Sequence, residues 1–212
     1  MSIKDNIYKI KKEIPSNVDI LAATKTRSIA EIQEAVDSGI YIIGENYVQE
    51  AEKKYPSIKG EVKKHYIGHL QTNKVKKALE IFDVIETVDS LNLAKEIDKK
   101  ADKEVIIYIE VNIGREPNKT GVFPEEADKL IDEISKLRNV QITGLMTMAP
   151  FLKDIEKIRP YFKEMKNLSD KLNKKYPKIR TLSMGMSDSY KIAIEEGANL
   201  IRLGTVIFGA RN

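Results

Sequence analysis

The chain has 212 residues, with 36 Lys+Arg against 32 Asp+Glu, two His, and neither Cys nor Trp. At 42% hydrophobic and 32% charged it has the balance of a water-soluble globular protein with a sizeable core, and without cysteine it can hold no disulfide, thiolate zinc site, iron–sulfur cluster or cysteine nucleophile. The net charge of +4 is spread over lysines interleaved with acids, which reads as solvated helix surface and not as a nucleic-acid patch.

Two histidines argue against a multi-His metal centre. Nothing at Met1–Asp5 resembles an apolar leader, and no run of about 18 apolar residues marks a membrane span, so a cytoplasmic location is expected.

In chain order, Ile3, Ile7, Ile10 and Ile14 recur at helical spacing up to Pro15, which predicts an N-terminal helix. From Val18 onward short apolar runs alternate with longer amphipathic stretches. The runs are Asp19–Ala23, Ile40–Ile43, Tyr66–Gly68, Asp83–Thr87, Val105–Val111, Gln141–Met146, Arg180–Met184 and Leu200–Leu203. Helical stretches open near Ser28, Asn46, Gln71, Ser90, Pro124, Asp154 and Ser187. Ser28 with Glu31 three residues on, and Ser90 ahead of Leu91, are start signals.

Eight such units at roughly 25 residues each imply parallel strands joined by helical crossovers. The compact length favours a closed (β/α)8 TIM barrel with an extra N-terminal helix over an open doubly wound sheet. No Pro-, Gly- or Ser-rich linker divides the chain, so one domain over 1–212 is expected. The irregular loop Gly114–Gly121 follows the fifth strand and is expected on the active face.

In a barrel, chemistry gathers at the C-terminal ends of the strands. Lys25 stands where the first strand ends; in the barrel mouth, desolvation would make its amine a nucleophile, while the alternative is an ordinary solvated loop lysine. Asn46 ends the second strand as a helix cap or as an amide reaching a ligand.

Ser183–Ser189 after strand seven and Arg202–Thr205 after strand eight bring hydroxyls, glycines and backbone amides to the usual phosphate address of a barrel. His65 and His69 are four apart on a segment read as strand, which does not suit a metal. Met146 and Met148 read as core or pocket wall. A lysine amine with a phosphate cradle points to a phosphorylated carbonyl ligand: pyridoxal 5′-phosphate, or a sugar-phosphate aldol substrate.

Six segments, in order, then resemble the pyridoxal phosphate homeostasis protein family. They are Ile20–Thr26, Gly44–Glu50, His65–Lys74, Gly144–Met148, Ser183–Asp188 and Arg202–Arg211. The family is similar in fold to the barrel domain of alanine racemase, so the resemblance implies an alanine racemase N-terminal type barrel. It implies that Lys25 carries pyridoxal 5′-phosphate as an internal aldimine, with Ser187, Gly204 and Thr205 on the phosphate. Arg202 would face the pyridine nitrogen and keep it unprotonated, which weakens the cofactor as an electron sink. Asn46 and Met148 would lie near the ring. His69 stands where many members have proline, and Lys64 where an aromatic is common.

Racemases of this fold add a C-terminal β domain that brings a tyrosine from the partner subunit. The sequence ends at Asn212, directly after the last barrel motif, so the expectation is that this domain and its second acid/base are lacking. A monomeric cofactor carrier in homeostasis follows, without robust turnover, with apo-enzymes as candidate recipients and no nucleic-acid or membrane partner. The alternatives are a low-activity amino-acid racemase using Lys25, with Tyr190 the one nearby candidate for a second base, and a Schiff-base aldolase.

Overall fold

Capping chemistry sets the first boundaries. Ser2 and Ser28 each close a reciprocal capping box, with Asp5 and with Glu31, and so start α1 (Ile3–Glu13) and α2 (Ile29–Asp37). Helix α1 ends at Glu13, two residues before Pro15, because Ile14 is driven into an extended conformation by the ring that follows. The computed structural model describes residues 2–210.

Between α1 and α2 lies β1 (Asp19–Ala23), and the alternation continues through β2 (Ile42–Glu45), α3 (Val48–Lys54), β3 (Lys63–Tyr66), α4 (Val75–Ile81), β4 (Val84–Val88) and α5 (Leu91–Lys100). It ends with β5 (Val105–Val111), α6 (Ala127–Ile134), β6 (Val140–Thr147), α7 (Arg159–Lys175), β7 (Thr181–Ser183), α8 (Tyr190–Glu195), β8 (Leu200–Leu203) and α9 (Thr205–Phe208). Each strand pairs in parallel with the next, and β8 returns to β1 with Asp19 opposite Leu200 and Ala22 opposite Leu203. The ring is closed, which rules out the open sheet.

The period-two alternation of each strand divides the core in two. Leu21, Ile42, Val84, Tyr108, Met146 and Leu200 fill the inside of the barrel. Their neighbours Ile20, Ala22, Ile43, Ile85, Ile107 and Ile109 face outward and pack beneath the helices. At about 1.5–3 kcal/mol for each fully buried aliphatic side chain, this two-sided burial is the main force closing the ring.

Several boundaries differ from those expected. Strand β2 runs two residues further, through Gly44 and Glu45, and β3 lies earlier, over Lys63–Tyr66 instead of Tyr66–Gly68. Register against the neighbouring strand decides both, since Ile42 pairs with Leu21 and with Lys63 although lysine adds nothing to the apolar pattern. Asn46 is no helix cap: α3 opens at Val48, with Tyr47 ahead of it and no side-chain cap bond.

The Gln71 and Asp154 openings are 3-10 turns, Thr72–Lys74 and Ile155–Ile158, that lead into α4 and α7. Helices α6 and α8 begin three residues after Pro124 and Ser187. Among the described residues no helix is long and apolar enough to cross a membrane.

Candidate functional site

The C-terminal ends of β1, β2, β6, β7 and β8 surround a hollow of about 520 Å³, a volume suited to a small cofactor. Lys25, Asn46, Met148, Ser187, Arg202, Gly204 and Thr205 all line it. The alternation that sends Leu21 and Ala23 inward carries Lys25 to the same side.

The backbone on both flanks of Lys25 is pinned. The Thr24 hydroxyl donates to the Gly44 carbonyl at 3.0 Å, and the Thr26 N–H donates to Glu50 at 3.1 Å. Lys54 bonds the same Glu50 carboxylate at 2.5 Å. Thr26 has φ of +64°, a left-handed conformation that a β-branched residue adopts only under constraint. Lys25 itself is half-buried, with Nζ 5.0 Å from the centroid of the Tyr47 ring.

The expected phosphate address is built from backbone. Gly185 turns the chain out of β7 with φ of +93°, where a Cβ would meet that of Ala193 at 2.5 Å. Ser187 Oγ then accepts from the N–H groups of Gly204, at 3.1 Å, and Val206, at 3.3 Å. Two amides thus converge on one oxygen, as they would on an oxygen of a phosphate. A Cβ at Gly204 would meet no protein atom nearer than 3.8 Å, so the space beside it belongs to the hollow.

Arg202 is 5% exposed and donates through Nη1 to Ser183 Oγ at 2.7 Å and through Nη2 to the Thr147 carbonyl at 2.8 Å. Burial pushes its pKa down, and the carboxylates of Glu86 and Glu110 oppose that shift. Behind Lys25, Glu45 is fully buried and raised by desolvation, with the Asn46 N–H, Lys54 and Thr24 working against the rise.

Other expected residues lie elsewhere. Tyr190 turns its hydroxyl to Glu13 of α1, 3.3 Å away, and stands outside the hollow. His65 lies inside the barrel beside Glu86, while His69 is exposed. No group of three potential metal ligands forms among the described residues. The 114–121 loop is tied down by Arg115 to Glu125 and Glu164 and contributes nothing to the lining. Arg211 lies outside the described residues.

Ala23, Ile67, Met186, Asp188 and Val206 also line the hollow; they lie within the motif segments but the sequence assigns them no contact with the cofactor. Their signal was positional: each is one or two residues from a residue already singled out.

The whole chain, residues 1–212, matches the family model described as alanine racemase, N-terminal domain. It is 44% identical over 197 residues to the pyridoxal phosphate homeostasis protein of Aquifex aeolicus, covering 91% of this chain and 86% of that protein. The chain belongs to the pyridoxal phosphate homeostasis protein family. The Escherichia coli K12 member of this family is 35% identical over 209 residues, 93% of this chain and 88% of its own length.

Among solved structures, PipY of Synechococcus elongatus without PLP superposes at a TM-score of 0.92 with 34% identity, over 98% of this chain and all of that one. PipY with PLP bound superposes at 0.90 with 33% identity over the same share of each. Clostridium difficile alanine racemase matches at 0.80 and 18% identity over 99% of this chain and 56% of its own, a likeness of fold alone.

Proposed function

We propose that this protein binds pyridoxal 5′-phosphate reversibly in the hollow, joined to Lys25 Nζ through an imine, and serves the intracellular homeostasis of that cofactor without robust turnover. The observation that carries this reading is the placement of one inward-facing lysine and a converging amide pair, Gly204 and Val206, around the same hollow. Relatives named pyridoxal phosphate homeostasis proteins, and PipY with PLP bound, support it.

When bound, the cofactor supplies an aldehyde that condenses with an amine, a phosphate dianion, and a pyridine ring that draws electrons. The chain does the rest. Lys25 presents its amine from a backbone fixed on both sides. Ser187, Thr205 and the Gly204 amide take the phosphate, with the Ser187 oxygen giving up the two N–H groups it now accepts. Arg202 presents N–H donors toward the ring nitrogen and, as a fixed cation, disfavours a proton there. Asn46 and Met148 border the ring.

Proton exchange on both faces of a bound amino acid needs a second base opposite Lys25. Tyr190 is turned away to Glu13, and Arg202 keeps the ring a weak electron sink, so both features favour holding over turnover. Met148 and Met186, each 41% exposed at the rim, leave the mouth within reach of apo-enzymes that would take the cofactor from a monomeric carrier.

The test is the absorbance of the purified protein with pyridoxal 5′-phosphate, for wild type and Lys25→Ala. A visible band that borohydride fixes covalently in wild type, and that the variant lacks, is the expected result. Absence of any band in wild type overturns the cofactor reading, and rapid stereospecific racemisation by the purified protein overturns the carrier role.

A further inference from the structure

Beneath the hollow, the inside of the barrel carries a continuous line of buried polar side chains from four strands. Arg202 of β8 donates to Ser183 Oγ of β7 at 2.7 Å, and Ser183 Oγ donates onward to Glu86 Oε2 of β4 at 2.7 Å. The other Glu86 oxygen, Oε1, lies 2.6 Å from Nδ1 of His65 on β3. Glu86 and Ser183 are fully buried and His65 is 2% exposed. A carboxylate, a guanidinium and an imidazole are costly to keep this deep unless each compensates another. Packing alone would favour hydrophobic residues of similar size.

The hydrogens follow from the acceptors. Ser183 Oγ receives an Arg202 N–H, so its own hydrogen points at Glu86. Glu86, taken as a carboxylate, needs a donor on its second oxygen, and the Nδ1–H tautomer of His65 supplies it. His65 Nε2 is buried without a partner, which an unprotonated ring nitrogen tolerates far better than an N–H would. The line therefore holds one negative charge, on Glu86, against one positive charge, on Arg202. The remaining titratable neighbours are Tyr108, whose ring meets His65 edge-on and whose phenol is raised by burial and by Glu86, and Glu110, which acts on Arg202.

Arg202 spends two of its five N–H donors on Ser183 and Thr147, and the residue also lines the hollow. The two anchors stand on β7 and at the end of β6. Whatever fixes Ser183 consequently fixes the face that Arg202 turns to a ligand.

We propose that Glu86 is a positioning residue for the ring-nitrogen end of the cofactor: through Ser183 it aims Arg202, and with its charge it offsets part of the positive field that Arg202 sets up there. His65 is the support that holds Glu86 from the far side. The inference rests on the pyridoxal 5′-phosphate reading above. It predicts that a residue which never touches the ligand governs how the ring behaves electronically.

Two variants test the two halves with pyridoxal 5′-phosphate itself. Glu86→Gln keeps the shape and removes the charge. The added net positive charge near the ring disfavours a protonated ligand, so the pH at which the visible band of the bound cofactor loses its proton falls by about one unit, a tenfold change. Ser183→Ala keeps the charge and removes the bridge. Wild type is expected to prefer pyridoxal 5′-phosphate over the analogue with ring CH in place of nitrogen by about tenfold, and this variant to bring the ratio close to one. A purely structural role would weaken both ligands equally and move neither readout.

An unchanged pH midpoint in Glu86→Gln overturns the proposal. If that variant does not fold, the analogue ratio in Ser183→Ala decides alone, and an unchanged ratio overturns it. A wild type with no visible band fails at an earlier step: the cofactor reading falls, and this inference with it.

Discussion

Gly68→Ala gives the sharpest check on how the mouth of the barrel is assembled. Gly68 follows β3, and its Cα faces the end of β2. A Cβ there would lie 2.2 Å from the Asn46 carbonyl oxygen and 2.8 Å from both its carbonyl carbon and its Cα. All three are backbone atoms, so no rotamer change relieves the overlap. The Gly68 carbonyl also accepts from the Thr87 hydroxyl at 2.6 Å, which ties the segment to β4 and blocks retreat on the other side.

Overpacking a tight site usually costs 1–3 kcal/mol, and with unyielding backbone on one side and the Thr87 bond holding the other the expected loss is about 3 kcal/mol. For a chain of this size that corresponds to a fall in Tm of roughly 6–12 °C. Displacement of Asn46, which borders the hollow, should in addition weaken pyridoxal 5′-phosphate by about tenfold. Urea unfolding without ligand gives the first number and titration of the visible band the second. A variant within about 0.5 kcal/mol of wild type, with unchanged affinity, would refute the close approach of β3 to β2 on which the site's geometry depends.

Gly204→Ala should behave in the opposite way. Its Cβ has open space at 3.8 Å from the nearest protein atom, so the ligand-free protein should lose less than about 1 kcal/mol while cofactor affinity drops at least tenfold, read by urea unfolding and ligand titration together. Glu110 is 3% exposed, with one carboxylate oxygen unpartnered, and burial raises its pKa above the ordinary 4.5. With a raised folded pKa the native state holds the proton longer than the unfolded chain, so stability falls as pH rises from about 4.5 through the folded value. Glu110→Gln removes this loss: its urea midpoint should gain on wild type between acid and neutral pH, and parallel pH profiles would contradict the assignment.

The succession of eight parallel strands and their helices was legible in the sequence because it depends on local periodicity, while closure of the ring was favoured only by the compact length. Apolar runs of strand length, amphipathic stretches between them and serine capping boxes are all properties of near neighbours along the chain. Lys25, Asn46, Ser187, Arg202, Gly204 and Thr205 could be singled out for the same reason: each sits where a strand stops, and barrel geometry brings all strand ends to one face. The family was legible because its motifs are contiguous segments.

What the sequence by itself could not decide depends on register between strands and on partners distant in the chain. The start of β3 at Lys63 follows from pairing with Ile42. Asn46 fails as a cap because α3 starts two residues later, at Val48. Tyr190 sits five residues from Gly185 and looked close to the site, yet its hydroxyl meets Glu13 some 177 positions away. The Arg202–Ser183–Glu86–His65 line joins four strands, and although Glu86 stands inside the run Asp83–Thr87, nothing local says which partners it meets. Only closure of the barrel, which places inward-facing residues of separate strands in one low-dielectric interior, turns them into a single electrostatic unit.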